Sequence, residues 1–265
     1  MKSQKVIILY EDSDILAINK PAGLIVHADG RTKEPSVAEW MLEYYPDTAV
    51  VGEPIMLESG ERILRPGIVH RIDKETSGVL VLAKSREGFE HLKSQFQEHE
   101  VRKFYNAFVY GDLKQDRGMI DRPIGRSKND FRKRTAERGI RGETREAVTG
   151  YSTIFRGETT SKDGSDGKIG PQKFSYIEAR PKTGRTHQIR VHMKAIQHPL
   201  VCDSLYAPGR PSLLGFERLA LHARSIEFRD LSGKQVRVEA PFPKDFLLAF
   251  KQSGIACEED FDVLQ

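Results

Sequence analysis

The sequence predicts an α+β fold, a single domain built on a mixed, largely antiparallel sheet flanked by helices. Two observations carry this. Segments that read as strands outnumber segments with helical periodicity, and the strands come in runs, without the regular βαβα alternation of a doubly wound fold. The 265 residues suffice for one large domain or two small ones. Residues 1–254 are assigned to one catalytic-type domain, and the acidic residues 255–265 to a frayed tail.

In chain order, KVIIL (5–9) and DILAIN (14–19) read as two short buried strands separated by a turn at 11–13, and NKPAG then breaks the pattern. Ser36 and Glu39 fit a capping box with Pro35 before it, so a helix starts here. Val37, Trp40, Met41 and Tyr44 recur at helical spacing, which reads Trp40 as core. Residues 46–64 read as a loop and hairpin, 78–84 as an apolar strand, and 86–98 as an amphipathic helix with Phe89, Leu92 and Phe96 on one face. Residues 103–110 form a strand. Residues 147–155 and 173–179 form two more around a Gly-, Ser- and Asp-rich hairpin tip. Residues 186–197 read as a helix stopped by Pro199, with Ile189, Met193 and Ile196 as its buried stripe. Strands at 221–228 and 235–239 and a helix at 244–252 complete the fold.

Composition narrows the class. With 38% hydrophobic and 30% charged residues the chain is polar and globular in character, neither disordered nor fibrous. No apolar run approaches the ~18 residues of a membrane span, and VIILY is too short for a secretory signal. Cys202 and Cys257 form neither a disulfide framework nor a CxxC. A reduced, cytoplasmic protein without membrane attachment is expected. The net charge of +4 hides an asymmetry: residues 114–145 carry 11 Lys and Arg against 5 Asp and Glu, including Arg132, Lys133 and Arg134. This segment reads equally as a solvated loop or as an arm that contacts phosphates.

Three polar clusters interrupt regular segments. RPGIVHRIDKETSG (65–78) places His70, Arg71 and Asp73 where the chain enters a buried strand. Tyr105 lies on an aromatic-rich strand. KTGRTHQIRVH (182–192) ends in a helix on which His187, Arg190 and Lys194 share one face. Alone, each is weak: the first also reads as a turn capped by Asp73, and the second as a core tyrosine with its hydroxyl satisfied. His187 and His192 are about 140° apart on a helix and cannot chelate a metal from one face. No nucleotide-binding Gly-rich loop is present.

Together, HRIDKETSG, KFYNAFVYG and GRTHQIRVHMKAIQHPLVCD closely resemble the RluA-type pseudouridine synthases, and so do ILYEDSDILAINKPAGLIVH and LALHARSIEF. The resemblance runs over roughly residues 6–243 and starts too early for the S4-type RNA-binding module of some relatives. It therefore implies a stand-alone catalytic domain. Residues 46–64 and 157–172 are longer than the pattern, and Cys202 stands where many relatives carry Gly.

The resemblance implies that Asp73 is the catalytic carboxylate, Tyr105 lies against the target uracil, Arg190 pairs with Asp73, and Arg71 fills the gap left by a flipped base. Uridine must be cut from its ribose, turned and rejoined through C5. The nucleotide must therefore leave the stack, at a cost of a few kcal/mol, and a planar cation can occupy the vacancy. A fixed cation keeps a buried carboxylate ionised and oriented. His70, Arg71, Arg132, Lys133, Arg134, Arg185, His187 and Gln188 are expected to touch RNA. Ribosomal RNA of the large subunit is favoured, transfer RNA is the other candidate, and a monomer is expected. The isomerisation needs neither metal nor organic cofactor. Two competing readings are a non-catalytic RNA-binding or ribosome-assembly factor on the same scaffold, and a glycosidase. The glycosidase would need a second acid beside Asp73, for which the sequence offers only Glu75.

Overall fold

The structure is a computed structural model that describes residues 6–28, 34–56, 60, 62–160 and 170–257. The chain divides into two compact units, Met1–Lys103 with Ala223–Ala240, and Phe104–His222 with Pro241–Gln265.

In the first unit β1 (Ile7–Glu11), β2 (Ile15–Lys20), β5 (Ser77–Ala83) and β13 (Leu221–Arg229) are consecutive neighbours, and β14 (Gln235–Glu239) pairs with β13. The β1/β2, β2/β5 and β13/β14 pairings are antiparallel. Every residue of β5 is buried, which is why its sequence is a continuous apolar run rather than an alternating one. Ile15, Ala17, Val79, Val81, Ile226, Phe228 and Val238 form the core with Phe89 and Leu92 of α2 (Arg86–Gln97).

Helix α1 (Val37–Tyr44) starts at the expected capping box. Glu39 N donates to Ser36 Oγ at 3.2 Å, and Ser36 N donates to Glu39 Oε2 at 2.9 Å. Its stripe is narrower than the spacing suggests. Val37 and Met41 are buried, but Trp40 is only half-buried and stacks on the exposed Tyr44 at 5.3 Å, so Trp40 is not core. A short 3-10 turn (Pro46–Val50) follows, and then β3 (Ile55–Met56) pairs with β4 (Arg62–Ile63) as the expected hairpin.

The second unit has the strand order β6 (Arg102–Tyr110), β12 (Pro171–Pro181), β11 (Val148–Thr160) and β7 (Arg117–Asp121), all antiparallel. Phe108 of β6 meets Phe174, Tyr176, Phe216 and, on α4 (Lys244–Ser253), Phe246 and Phe250. Ring centroids in this aromatic cluster are 4.9–6.0 Å apart. Helix α3 (Gln188–Ala195) adds Ile189 and Met193 to a second core with Val109, Ile120, Tyr151 and Ile177.

The basic segment is a folded element. β8 (Ile124–Ser127) lies between β10 (Ile140–Arg145) and β9 (Arg134–Thr135) in a small three-stranded sheet. The solvated-loop reading of 114–145 is thereby corrected. Backbone pairing orders these strands although nearly all of β10 is exposed to water.

The tip residues 161–169 and the tail residues 258–265 lie outside the described residues. Among the described residues no helix is long and apolar enough to cross a membrane. The class is α+β with largely antiparallel pairing, as the sequence predicts.

Candidate functional site

In the first unit the segment carrying Asp73 is pinned at both ends by glycines that no other residue could replace without displacing backbone. Gly67 has a φ of 63°, and a Cβ there would lie 2.0 Å from the Ala83 carbonyl oxygen. Gly78 has a φ of 111°, and its Cβ would lie 2.2 Å from that of Ala223. Between them Asp73 is half-buried, and its carbonyl accepts from Thr76 N at 3.1 Å.

The next carbonyl is held from a direction the sequence reading missed. Lys20 is fully buried, and its Nζ donates to the carbonyls of Pro21 (2.8 Å), Leu24 (2.8 Å) and Lys74 (3.1 Å). Gly23 N donates to Lys74 O as well, at 2.8 Å. The NKPAG break thus clamps the turn beside Asp73. A lysine ending a buried strand, where a polar side chain needs partners, was the signal available in the sequence.

His70 and Arg71 behave differently. Val81 N donates to His70 Nε2 at 2.9 Å, and the imidazole stacks on Phe96 at 4.5 Å. Burial, reinforced by Lys103, pushes His70 from 6.5 down to about 3. It is a neutral strut between the turn and β5. Arg71 is exposed, with Nη1 3.5 Å from His27 Nε2.

In the second unit Tyr105 is half-buried on β6, opposite Ala179 of β12. The expected helix at 186–197 is shorter, because His187 adopts a φ of 58° and acts as N-cap of α3. Gln188 explains the early turn. Its Oε1 accepts from Thr183 Oγ1 (2.7 Å) and Arg185 N (2.9 Å), and its Nε2 donates to Val148 O and Thr149 Oγ1 (both 3.0 Å). Only 4% exposed and using all four of its bonds internally, Gln188 anchors the KTGR turn to β11.

The three residues expected on one face, His187, Arg190 and Lys194, differ in their surroundings. His187 precedes the helix, Arg190 is buried, and Lys194 is exposed and pairs with Glu137 at 3.3 Å. Within its own unit Arg190 makes a two-pronged ion pair with Asp203, Nε to Oδ2 and Nη2 to Oδ1, both at 2.8 Å. Asp203 Oδ1 also accepts from Leu205 N and Tyr206 N. The Arg190 guanidinium lies over the Tyr206 ring at 5.1 Å. Tyr206 Oη accepts from Arg134 N and shares a hydrogen bond with His187 Nδ1, each at 2.9 Å. One network therefore joins α3 to the basic sheet. Asp203, which the sequence reading left without a role, is its centre. Cys202 just before it has a φ of 54°, a conformation glycine takes freely.

Beside the basic sheet Arg126, Arg134, Arg141, Arg145 and Arg185 surround a cavity of about 450 Å³ whose one acidic lining residue is Glu143. The Arg185 guanidinium is held there by the Glu146 carbonyl at 2.9 Å. Arg132 is engaged otherwise: its Nε and Nη2 donate to the Asp130 carboxylate at 3.0 and 2.9 Å, and this hydrogen bonding holds Asp130 down to about 2.

The fold is that of pseudouridine synthases. Human RNA Pseudouridylate Synthase Domain Containing 1 superposes with a TM-score of 0.68 at 23% identity, over 92% of this chain and 87% of that one. The human Domain Containing 4 protein gives 0.65 at 24%, over 93% and 92%. The profile of the RNA pseudouridylate synthase family matches residues 14–195. A Ribosomal large subunit pseudouridine synthase D of Zymomonas mobilis is 37% identical over 94% of this chain and 73% of its own length. RNA pseudouridine synthases described as uncharacterised, from Synechocystis and Bacillus subtilis, are 37% and 36% identical over 90% of this chain, which spans 66% and 69% of their lengths. The chain belongs to the RNA pseudouridylate synthase family, a family of isomerases.

Proposed function

We propose that this protein isomerises uridine to pseudouridine in structured RNA, with large-subunit ribosomal RNA as substrate. The observation that carries the reading is Asp73, half-buried on a turn pinned by Gly67, Gly78 and Lys20, with the exposed Arg71 two residues before it. The preference for ribosomal RNA is supported by relatives named Ribosomal large subunit pseudouridine synthase D.

In this reading the target nucleotide leaves its stack and Arg71 takes the vacated space. Asp73 is the reacting carboxylate. The bond from ribose C1′ to uracil N1 breaks and a bond from C1′ to C5 forms. C5 loses its proton and N1 gains one, so atoms and electrons balance without a redox partner. Tyr105 offers a ring face to the uracil and a hydroxyl for the C5 proton. Arg190, its orientation fixed by Asp203, is the cation assigned to the reacting carboxylate. The arginine-lined cavity and Lys133 hold phosphates.

The test is release of label from RNA carrying tritium at uridine C5, with no cofactor added. The wild-type protein releases it. Asp73→Asn abolishes release while RNA affinity stays within about twofold, because a neutral isostere leaves the binding surface intact. Full turnover by the Asn variant would overturn the assignment of Asp73. RNA binding by the wild type without release from any cellular RNA would support a non-catalytic role instead.

A further inference from the structure

The connection between β8 and β9 carries a feature that neutralising phosphates does not require. Phe131 sits there with 78% of its surface in water, next to Arg132 and Lys133. A ring so exposed adds nothing to a core, and its setting among cations is what distinguishes it.

The backbone beneath the ring is fixed. Ser127 N donates to Lys133 O at 3.1 Å and Lys133 N to Asp130 O at 3.0 Å. Asn129 N donates to Ser127 Oγ at 3.3 Å. The Asp130 carboxylate takes the backbone N of Arg132 at 3.0 Å as well as its guanidinium. Phe131 therefore lies between two residues clamped to each other, and the ring is presented by an ordered turn. Arg126 and Arg134 of the same hairpin line the arginine cavity. The element is a short finger with cations along its sides and a ring at its tip.

That chemistry selects the partner. Cations on the flanks favour a polyanion, and an exposed ring among them fits the face of a nucleobase. Unpaired bases in RNA are taken up by stacking on aromatic side chains, and single-stranded binding surfaces combine the same two ingredients. We propose that Phe131 is a base-stacking contact, engaging an unpaired or helix-terminal base of the RNA substrate while the arginines below it take the neighbouring phosphates. This rests on the RNA-modifying reading above and adds a contact to it. Stacking is sequence-tolerant, so Phe131 contributes affinity and placement rather than base identity.

The test uses the full chain and an unmodified transcript of large-subunit ribosomal RNA, with affinity measured over a salt series and C5 release measured in parallel. Phe131→Ala and Phe131→Leu are expected to weaken binding roughly 5- to 150-fold, the range for losing one stacked base. The slope of log affinity against log salt should stay unchanged, because no charge is removed. Phe131→Trp should retain affinity, and its fluorescence should be quenched by the RNA beyond the response of Trp40 in the wild type. The melting temperature of Phe131→Ala should match the wild type.

Wild-type affinity in Phe131→Ala alongside normal turnover by the wild type would overturn the inference and leave the enzymatic reading standing. Wild-type affinity in Phe131→Leu with loss in Phe131→Ala would overturn it too, since that is the signature of an apolar protein pocket. If the wild type neither binds the transcript nor releases label, the RNA reading fails and the stacking contact fails with it.

Discussion

Asp203 neutralises a charge that Arg190 carries into the interior of its unit. The carboxylate is inaccessible to water and the guanidinium is 10% exposed. Two backbone amides add to the two ion-pair bonds on the same carboxylate. Breaking a buried ion pair by removing one of its charges costs about 3–5 kcal/mol. Asp203→Asn, which keeps the shape and removes the charge, is therefore expected to lower the unfolding free energy by that amount. The measurement is urea denaturation with an unchanged m-value. A loss under about 1 kcal/mol, the scale of an exposed pair, would mean that the interaction is peripheral. Lys20 in the first unit follows the same rule by other means, since its buried ammonium is surrounded by three carbonyls.

Between the Asp73 turn and β5, alongside the backbone bond from Ala83 N to Gly67 O, stands one titratable strut. His70 accepts from Val81 N only while its Nε2 is unprotonated. In the unfolded chain the imidazole takes a proton near its ordinary value of 6.5, and in the folded protein only near about 3. The unfolded state thus binds the extra proton between these values. The stability due to a neutral His70 is complete above 6.5 and is lost as pH falls toward 3, at about 1.4 kcal/mol per pH unit. His70→Gln keeps an acceptor for Val81 N and does not titrate. Between pH 6.5 and about pH 5 the wild type should lose about 2 kcal/mol more than this variant in denaturant titrations, and identical pH profiles would remove His70 from that role. How legible such elements were in the sequence depends on what orders them. The start of α1 was readable because Ser36 and Glu39 are a local device, and β5 because burial on both faces demands an apolar run. The sheet of β8, β9 and β10 was not, because its strands are short, β10 is mostly exposed, and their ordering comes from backbone pairing. The site follows the same division. Asp73 and its glycines stand in one motif, whereas the late start of α3 depends on Gln188 reaching β11, and Asp203, which Arg190 grips, is 13 residues away in the chain. No local period encodes either.

Across the whole molecule the net charge of +4 combines +6 in residues 114–145 with −2 elsewhere. The folded structure changes which of those cations should matter. Arg132 is largely neutralised by Asp130 in its own turn, whereas Arg141 and Arg145 line a cavity with five arginines and one glutamate. Each phosphate contact releases condensed counterions and adds about 0.7–0.9 to the slope of log affinity against log salt. Arg141→Gln combined with Arg145→Gln is therefore expected to reduce the slope by roughly 1.4–1.8 on a ribosomal RNA transcript. Arg132→Gln should leave it nearly unchanged, although all three positions count equally toward the sequence charge. The comparison uses binding measured between about 50 and 200 mM salt, the range over which a multi-contact interface loses most of its electrostatic affinity. A larger slope change from Arg132→Gln than from the double variant would move the phosphate track from the cavity to the hairpin tip. The weak overall charge would then conceal a different local one.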